Sequence, residues 1–125
     1  MGIGGRQRGL VSTYVPGRGD VVWLSFSPQA GREQAGRRPA VILSPEGYND
    51  RVSMALCCPV TSKRKGYPFE VPIPGGFEVH GVILADQVRN LDWRARRAEL
   101  LARLPASTIS EVISKVWALI SDPPG

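Results

Sequence analysis

Two segments of the sequence hold most of the residues that could act on a substrate. Residues 31–39 read Gly-Arg-Glu-Gln-Ala-Gly-Arg-Arg-Pro, and residues 61–69 read Thr-Ser-Lys-Arg-Lys-Gly-Tyr-Pro-Phe. Cations can hold phosphates while aromatic rings stack on unpaired bases, so this mixture is typical of proteins that bind single-stranded RNA. A structural interpretation stays open beside it, in which the cations form solvated turns and the rings pack on strand faces.

Several familiar catalytic patterns are missing. The sequence has no Gly-x-Ser-x-Gly nucleophile motif, no Gly-x-x-x-x-Gly-Lys-Ser phosphate-binding loop and no His-Glu-x-x-His metal motif. Because His80 is the only histidine, ribonuclease chemistry with two histidines is excluded. We interpret His80 as a solvated loop residue.

The two cysteines, Cys57 and Cys58, are adjacent within the apolar segment 54–60. Neighbouring strand residues face opposite ways, so these thiols are poorly placed to bond to each other. With one histidine and no second cysteine pair, the sequence offers no zinc site, and we expect neither a metal nor another cofactor. We predict two buried, structural thiols.

The composition favours one small domain with an anionic partner. The chain has 125 residues, and 16 lysines and arginines oppose 11 aspartates and glutamates, which gives a net charge of +5. This charge favours a nucleic acid, although a solvated basic surface explains it equally well. No apolar run approaches the roughly 20 residues that span a bilayer, and residues 1–9 lack the apolar stretch of a signal peptide. We therefore expect a cytoplasmic protein without membrane association.

Apolar runs bounded by turn residues predict a mostly β fold. Strands are expected at 21–26, 39–43, 52–60, 69–73, 81–85 and 98–104. One clear helix ends the chain, with a single apolar face formed by Ile109, Val112, Ile113, Val116 and Ile120.

Between these elements we expect a long polar loop at 27–38 and a helical turn at 92–96. The pattern predicts a small, mostly antiparallel β-barrel with a carboxy-terminal helix. We place this domain at 14–121, between a flexible tail at 1–13 and a short tail at 122–125.

The same segments give the sequence a family resemblance. From about Tyr14 to Ile120 it resembles the MazF (PemK, Kid) toxins of type II toxin–antitoxin systems. Each short motif is weak alone, but the matches occur in one order, at residues 14–16, 19–23, 33–36, 38–41, 43–45, 65–71, 84–88 and 93–96.

The resemblance implies an SH3-like antiparallel barrel with a carboxy-terminal helix, of the CcdB/MazF type. It also implies a homodimeric, metal-independent endoribonuclease that cuts single-stranded messenger RNA at short motifs and is silenced by a MazE-like antitoxin. The implied catalytic residues are Arg38, Thr61 and Glu33. As further candidates, we predict that RNA is bound by Phe26, Gln34, Arg37, Lys65, Tyr67, Gln87 and Arg89.

The implied reaction makes physical sense for these side chains. When the 2′-hydroxyl attacks its own phosphate, negative charge develops that fixed donors must stabilise. Arg38 can grip two phosphate oxygens, and Thr61 can donate a hydrogen bond to the same centre. The group that accepts the 2′-hydroxyl proton stays open between Glu33, the stronger base, and Arg38.

Two departures from the family bear on specificity. In one relative an aspartate flanks the strand phenylalanine on each side, whereas Ser25 and Ser27 flank Phe26 here. Arg37 replaces a histidine beside the implied catalytic arginine. Both changes make the cleft more cationic, so the RNA sequence that relatives cut is not carried over.

Three alternatives remain at this point. A CcdB-like gyrase poison would share the barrel, but such toxins lack the Arg38 and Thr61 pair and end in Trp-Gly-Ile. An SH3-like peptide binder would need clustered aromatic residues, and here they are scattered. A non-catalytic RNA-binding barrel would lose binding, and no activity, on Arg38→Ala.

Overall fold

A computed structural model describes residues 13–26 and 36–121 of the chain. The predicted tails, apart from residue 13, and the candidate residues Glu33 and Gln34 lie outside the described residues. No helix within the two described ranges is both long and apolar enough to cross a membrane.

Seven strands and two α-helices make up the described fold. The strands are β1 (Asp20–Ser25), β2 (Arg37–Ile42), β3 (Met54–Thr61), β4 (Glu70–Pro72), β5 (Val82–Leu84), β6 (Arg89–Asp92) and β7 (Glu99–Arg103). The helices are α1 (Glu46–Val52) and α2 (Ala106–Ser121), and Ala85–Gln87 forms a short 3-10 helix.

The sheet is antiparallel throughout its pairings and is organised around β3. The strands follow the order β4-β5-β3-β2-β1-β7, and β6 pairs separately with β3. Strand β3 pairs with β6 through residues 54–57, with β2 through 57–59 and with β5 through 60–61. The antiparallel sheet and carboxy-terminal helix confirm the predicted fold class. The pairings among the described strands run from β4 to β7 without closing into a ring.

Both faces of the sheet are buried, because successive strand residues point to opposite sides. Val21 of β1 packs in a cluster that includes Ile109 and Val112 of α2. The next residue, Val22, packs in a second cluster with Leu91 and Trp93. Each fully buried side chain of this kind stabilises the fold by about 1.5–3 kcal/mol.

The cysteine prediction is confirmed. Both thiols are free and buried, and they point into different clusters, Cys58 toward α2 and Cys57 toward the opposite side.

Helix α1 was not predicted. The expected strand 52–60 begins two residues late, at Met54, because residues 46–52 are helical. Asn49 holds this short helix in place: it is fully buried, and its side-chain amide donates to the carbonyls of Pro16 at 2.7 Å and Ser44 at 3.0 Å. These are tertiary contacts, which a local sequence pattern cannot predict.

The predicted helical turn at 92–96 is only partly correct. Residues 89–92 form β6, which pairs with the first half of β3. A turn follows in which the Arg96 amide donates to the Asp92 carbonyl at 3.1 Å. The remaining strands lie within two residues of their predicted bounds, and α2 spans the predicted helical pattern at 109–120.

Candidate active site

Five of the predicted site residues meet in one cleft of about 270 Å³ beside strands β2 and β3. These residues are Phe26, Arg38, Thr61, Gln87 and Arg89. The rest of the lining is apolar apart from one thiol, and consists of Ala40, Cys57, Pro59, Val60, Leu84 and Leu91. The cleft therefore joins cations and small polar groups to an apolar floor.

Strand alternation positions Arg38. It lies opposite Leu24 of β1 and two residues before the buried Ala40 of β2, so its side chain leaves the core on the cleft side. The side chain is exposed, and no hydrogen bond or ion pair to another described residue holds its guanidinium. Its donors are thus available to an anion in the cleft.

Thr61 is the last residue of β3 and pairs with Val82 of β5. Its hydroxyl oxygen accepts a hydrogen bond from the Lys63 amide at 3.1 Å. A hydroxyl that accepts in this way keeps its own proton for donation. Thr61 can therefore donate to an anionic group that Arg38 also reaches.

The Phe26 ring is held by a cation that the sequence analysis did not select. The guanidinium carbon of Arg96 lies 5.2 Å from the ring centroid, and Arg96 donates to the Ser25 carbonyl at 3.1 Å. This geometry fits a cation–π contact and fixes an aromatic surface in the cleft. Arg96 lies in residues 93–96, which resemble the toxin family. That resemblance could have identified Arg96 as a site residue from the sequence.

Arg37 is not brought to the cleft. Its guanidinium donates to Glu99 at 2.6 Å, to the Ser25 hydroxyl at 3.1 Å and to the Arg97 carbonyl at 3.3 Å. It lines a separate cavity of about 830 Å³ that includes Trp93. The structure thus gives Arg37 intramolecular partners outside the cleft, and its contact with RNA stays a prediction.

Lys65 and Tyr67 do not line the cleft either, but their segment is anchored close to it. The Glu70 carboxylate accepts the Lys65 and Gly66 amides, both at 2.8 Å. The Tyr67 hydroxyl donates to Asp86 at 2.9 Å, next to the cleft residue Gln87. That hydrogen bond raises the pKa of Tyr67, so the phenol stays neutral.

The cleft is cationic where the structure describes it. Arg38 and Arg89 line it, and none of its described lining residues is acidic. Burial raises the pKa of the Cys57 thiol to about 11, so this group is neutral near pH 7 and is not a nucleophile. An anionic ligand such as a phosphodiester suits these charges.

Metal-ligating side chains are dispersed in the described residues. Within 13–26 and 36–121, no three histidine, cysteine, aspartate or glutamate side chains are grouped so that they could hold a metal ion. His80 is exposed, in agreement with its interpretation as a surface residue.

The sequence has clear relatives among known proteins. Residues 17–120 match the family model of the PemK-like, MazF-like toxins of type II toxin–antitoxin systems. The chain is 48% identical over 111 residues to the endoribonuclease toxin MazF of Escherichia coli strain K12, an alignment that covers 89% of this chain and 99% of that protein.

Solved structures agree with the sequence match. MazE-MazF from Deinococcus radiodurans is similar with a TM-score of 0.79 and 50% identity, over 86% of this chain and 97% of that one. MazF from the same organism has a TM-score of 0.77 and 56% identity, with the same coverage.

Proposed function

The chain belongs to the PemK-like, MazF-like toxins of type II toxin–antitoxin systems, and we propose that it is an endoribonuclease that cleaves single-stranded RNA. The observation that carries this proposal is the shared cleft of Arg38 and Thr61. Similar proteins from Escherichia coli are named endoribonucleases. The two alternative functions, a gyrase poison and a non-catalytic RNA-binding barrel, are therefore not favoured.

The proposed reaction is a transesterification within the RNA. The 2′-oxygen forms a bond to the adjacent phosphorus, the bond from phosphorus to the 5′-oxygen breaks, and a 2′,3′-cyclic phosphate and a 5′-hydroxyl remain. The 2′-hydroxyl proton passes to a base, and the departing 5′-oxygen gains a proton. No atom in this balance has to come from a cofactor.

Arg38 and Thr61 would stabilise the negative charge that develops on the phosphate in the transition state. The Arg38 guanidinium can donate two parallel hydrogen bonds to phosphate oxygens, and the Thr61 hydroxyl can donate a third. Strands β2 and β3 fix the backbones from which both side chains reach the phosphate. Removal of one such donor typically lowers kcat by about 10²–10³.

A pH–rate profile would identify the group that accepts the 2′-hydroxyl proton. A carboxylate base at Glu33 gives a rate that rises with pH through the acidic range, and this rise disappears in Glu33→Gln. If Arg38 accepts the proton, the acidic rise is absent from the wild-type profile. The proposed RNA contacts besides Phe26 are Gln34, Arg37, Lys65, Tyr67, Gln87 and Arg89.

The rest of the cleft suits a single-stranded substrate. Phe26 presents a ring on which an unpaired base can stack, and Arg89 adds a second cation to the cleft. A duplex buries the faces of its bases, whereas an unpaired strand can place one against Phe26.

We also propose protein partners, in keeping with the family. Helix α2 exposes large apolar side chains, with Trp117 64% and Ile120 72% exposed. Apolar residues gathered in this way are typical of interaction surfaces. A homodimer and a cognate, MazE-like antitoxin are the partners that we propose, in the cytoplasm.

The proposed function is tested with purified protein, free of antitoxin, on mixed-sequence single-stranded RNA in EDTA. Mapped ends should show cuts at a short recurring motif, with cyclic phosphates and 5′-hydroxyls. Arg38→Ala should lower the rate of these cuts by about 10²–10³. Arg51→Ala, which changes an exposed arginine on α1 away from the cleft, should leave the rate unchanged. RNA left intact by folded wild-type protein would overturn the proposal, and retained RNA binding would then indicate a non-catalytic binder.

A further inference from the structure

Gly81 makes an unusually close backbone approach to Thr61. A Cβ atom built on Gly81 would lie 2.1 Å from the Thr61 carbonyl oxygen and 2.9 Å from its carbonyl carbon. It would also lie 3.0 Å from the Cα of Ser62. These neighbours are all backbone atoms, so no side-chain rotation can make room.

The backbone of Gly81 is also held from another direction. Its carbonyl accepts a hydrogen bond from the Ile73 amide at 3.0 Å, and the following residue, Val82, pairs with Thr61. A residue larger than glycine must therefore displace the Thr61 peptide or break these contacts. The conformation itself, with φ at +116°, adds a second reason for glycine here.

Gly76 provides a contrast within the same chain. It too has a positive φ, at +94°, but a Cβ on it would meet nothing within 4 Å. The two glycines therefore share the conformational requirement and differ in the contact. Of these two glycines, only Gly81 permits the backbone to approach a cleft residue through its missing side chain.

We propose that Gly81 is a positioning residue, which fixes the Thr61 peptide so that its hydroxyl stands correctly in the cleft; this inference rests on the proposed ribonuclease function. The hydroxyl and the carbonyl belong to the same residue, so a shift of the peptide plane carries the side chain with it. A displacement of about 1 Å in a catalytic group can lower the rate about 100-fold.

The test compares Gly81→Ala with Gly76→Ala in two backgrounds, wild type and Thr61→Val. In the wild-type background we expect Gly81→Ala to lower kcat about 100-fold, with a much smaller change in KM. Gly76→Ala, which is strained through φ alone, should retain kcat. In the Thr61→Val background Gly81→Ala should cause no further loss, because the group that it positions is already gone.

Two outcomes would overturn the inference: an unchanged kcat in Gly81→Ala, or an equal loss in both backgrounds. Should Gly81→Ala fail to fold, Ile73→Pro removes the amide that holds the Gly81 carbonyl without adding an atom at residue 81. Its loss of kcat should likewise vanish in the Thr61→Val background. Wild-type protein that cuts no RNA would instead refute the proposed function itself, so the two failures are distinguishable.

Discussion

Arg37 and Arg38 are consecutive residues of β2 whose guanidinium groups have different surroundings. Arg37 donates to the Glu99 carboxylate at 2.6 Å, whereas Arg38 lines the cleft with Thr61. The alternation of side chains along a strand separates the two groups. Two adjacent arginines of one strand therefore have different surroundings.

This separation predicts different consequences of alanine substitution. Arg38→Ala should lower kcat by about 10²–10³ through the loss of phosphate donors. Arg37→Ala should lower the free energy of unfolding by about 1 kcal/mol, because it loses a partly exposed ion pair and its hydrogen bonds, and it should change kcat far less. Single-turnover kinetics and urea unfolding measure the two effects. An equal loss of kcat in both variants would contradict the separation.

The hydroxyl of Thr61 should account for most of the effect of that residue. Thr61→Ser keeps a donor at the same position and should retain most of the activity. Thr61→Val keeps the shape without the donor and should lower kcat by about 10²–10³. Ser110→Ala, which removes an exposed hydroxyl from α2, serves as the control. Similar rates for the serine and valine variants would exclude the proposed hydrogen bond.

Asn49 should be important for stability. Its side chain satisfies the carbonyls of Pro16 and Ser44 and accepts from the Ser44 hydroxyl at 2.6 Å. Asn49→Ala leaves these buried groups unpaired and should lower the free energy of unfolding by about 3 kcal/mol.

The matched control is Asn90→Ala. Asn90 is exposed and donates to the Tyr48 hydroxyl at 3.3 Å. Asn90→Ala should therefore change the free energy of unfolding by no more than about 0.5 kcal/mol. Urea unfolding measures both variants. Equal free energies of unfolding for Asn49→Ala and Asn90→Ala would show that the hydrogen bonds of Asn49 contribute little to stability.

The buried thiols predict a loss of stability in alkali. Burial raises the pKa of Cys57 to about 11 and that of Cys58 to about 12, whereas a thiol in the unfolded chain ionises near pH 8.5. The unfolded state therefore loses its thiol protons first, and stability should fall as the pH rises from about 8.5 toward 12. Urea unfolding at several pH values should show this fall, and a Cys57→Ala, Cys58→Ala double variant should show a shallower one. If the free energy of unfolding falls equally with pH in wild type and in the double variant, the thiols do not contribute to the pH dependence.

Elements whose pattern is strong and local were predictable. Helix α2 places Ile109 and Val112 in the core, as their helical spacing requires. Strand β1 was predictable because its residues are strand formers on both buried faces. In these elements the local preference and the tertiary environment favour the same structure.

Other elements depend on distant contacts and were missed. Helix α1 has seven residues, too few to be stable alone, and is held by the contacts of Asn49. Strand β6 reads Arg-Asn-Leu-Asp, with one apolar residue, and exists because β3 offers it an edge.

The candidate site was predictable only in part. Arg38 and Thr61 followed from resemblance, since composition and spacing alone left a structural interpretation open. The partners of Arg37 could not be foreseen, because Glu99 is 62 residues away. The contact between Gly81 and Thr61 has no sequence signal beyond a glycine before a strand, since it depends on how β5 docks on β3.

The proposed attack by the 2′-hydroxyl is tested most directly with an RNA that contains one mapped cut site. A 2′-deoxy nucleotide replaces the nucleotide on the 5′ side of the cut, and a control RNA carries the same change one position to the 3′ side. If the 2′-hydroxyl is the nucleophile, the first RNA should bind without being cut, while the control is cut at the normal rate. Cleavage of the first RNA at the same bond would contradict the mechanism.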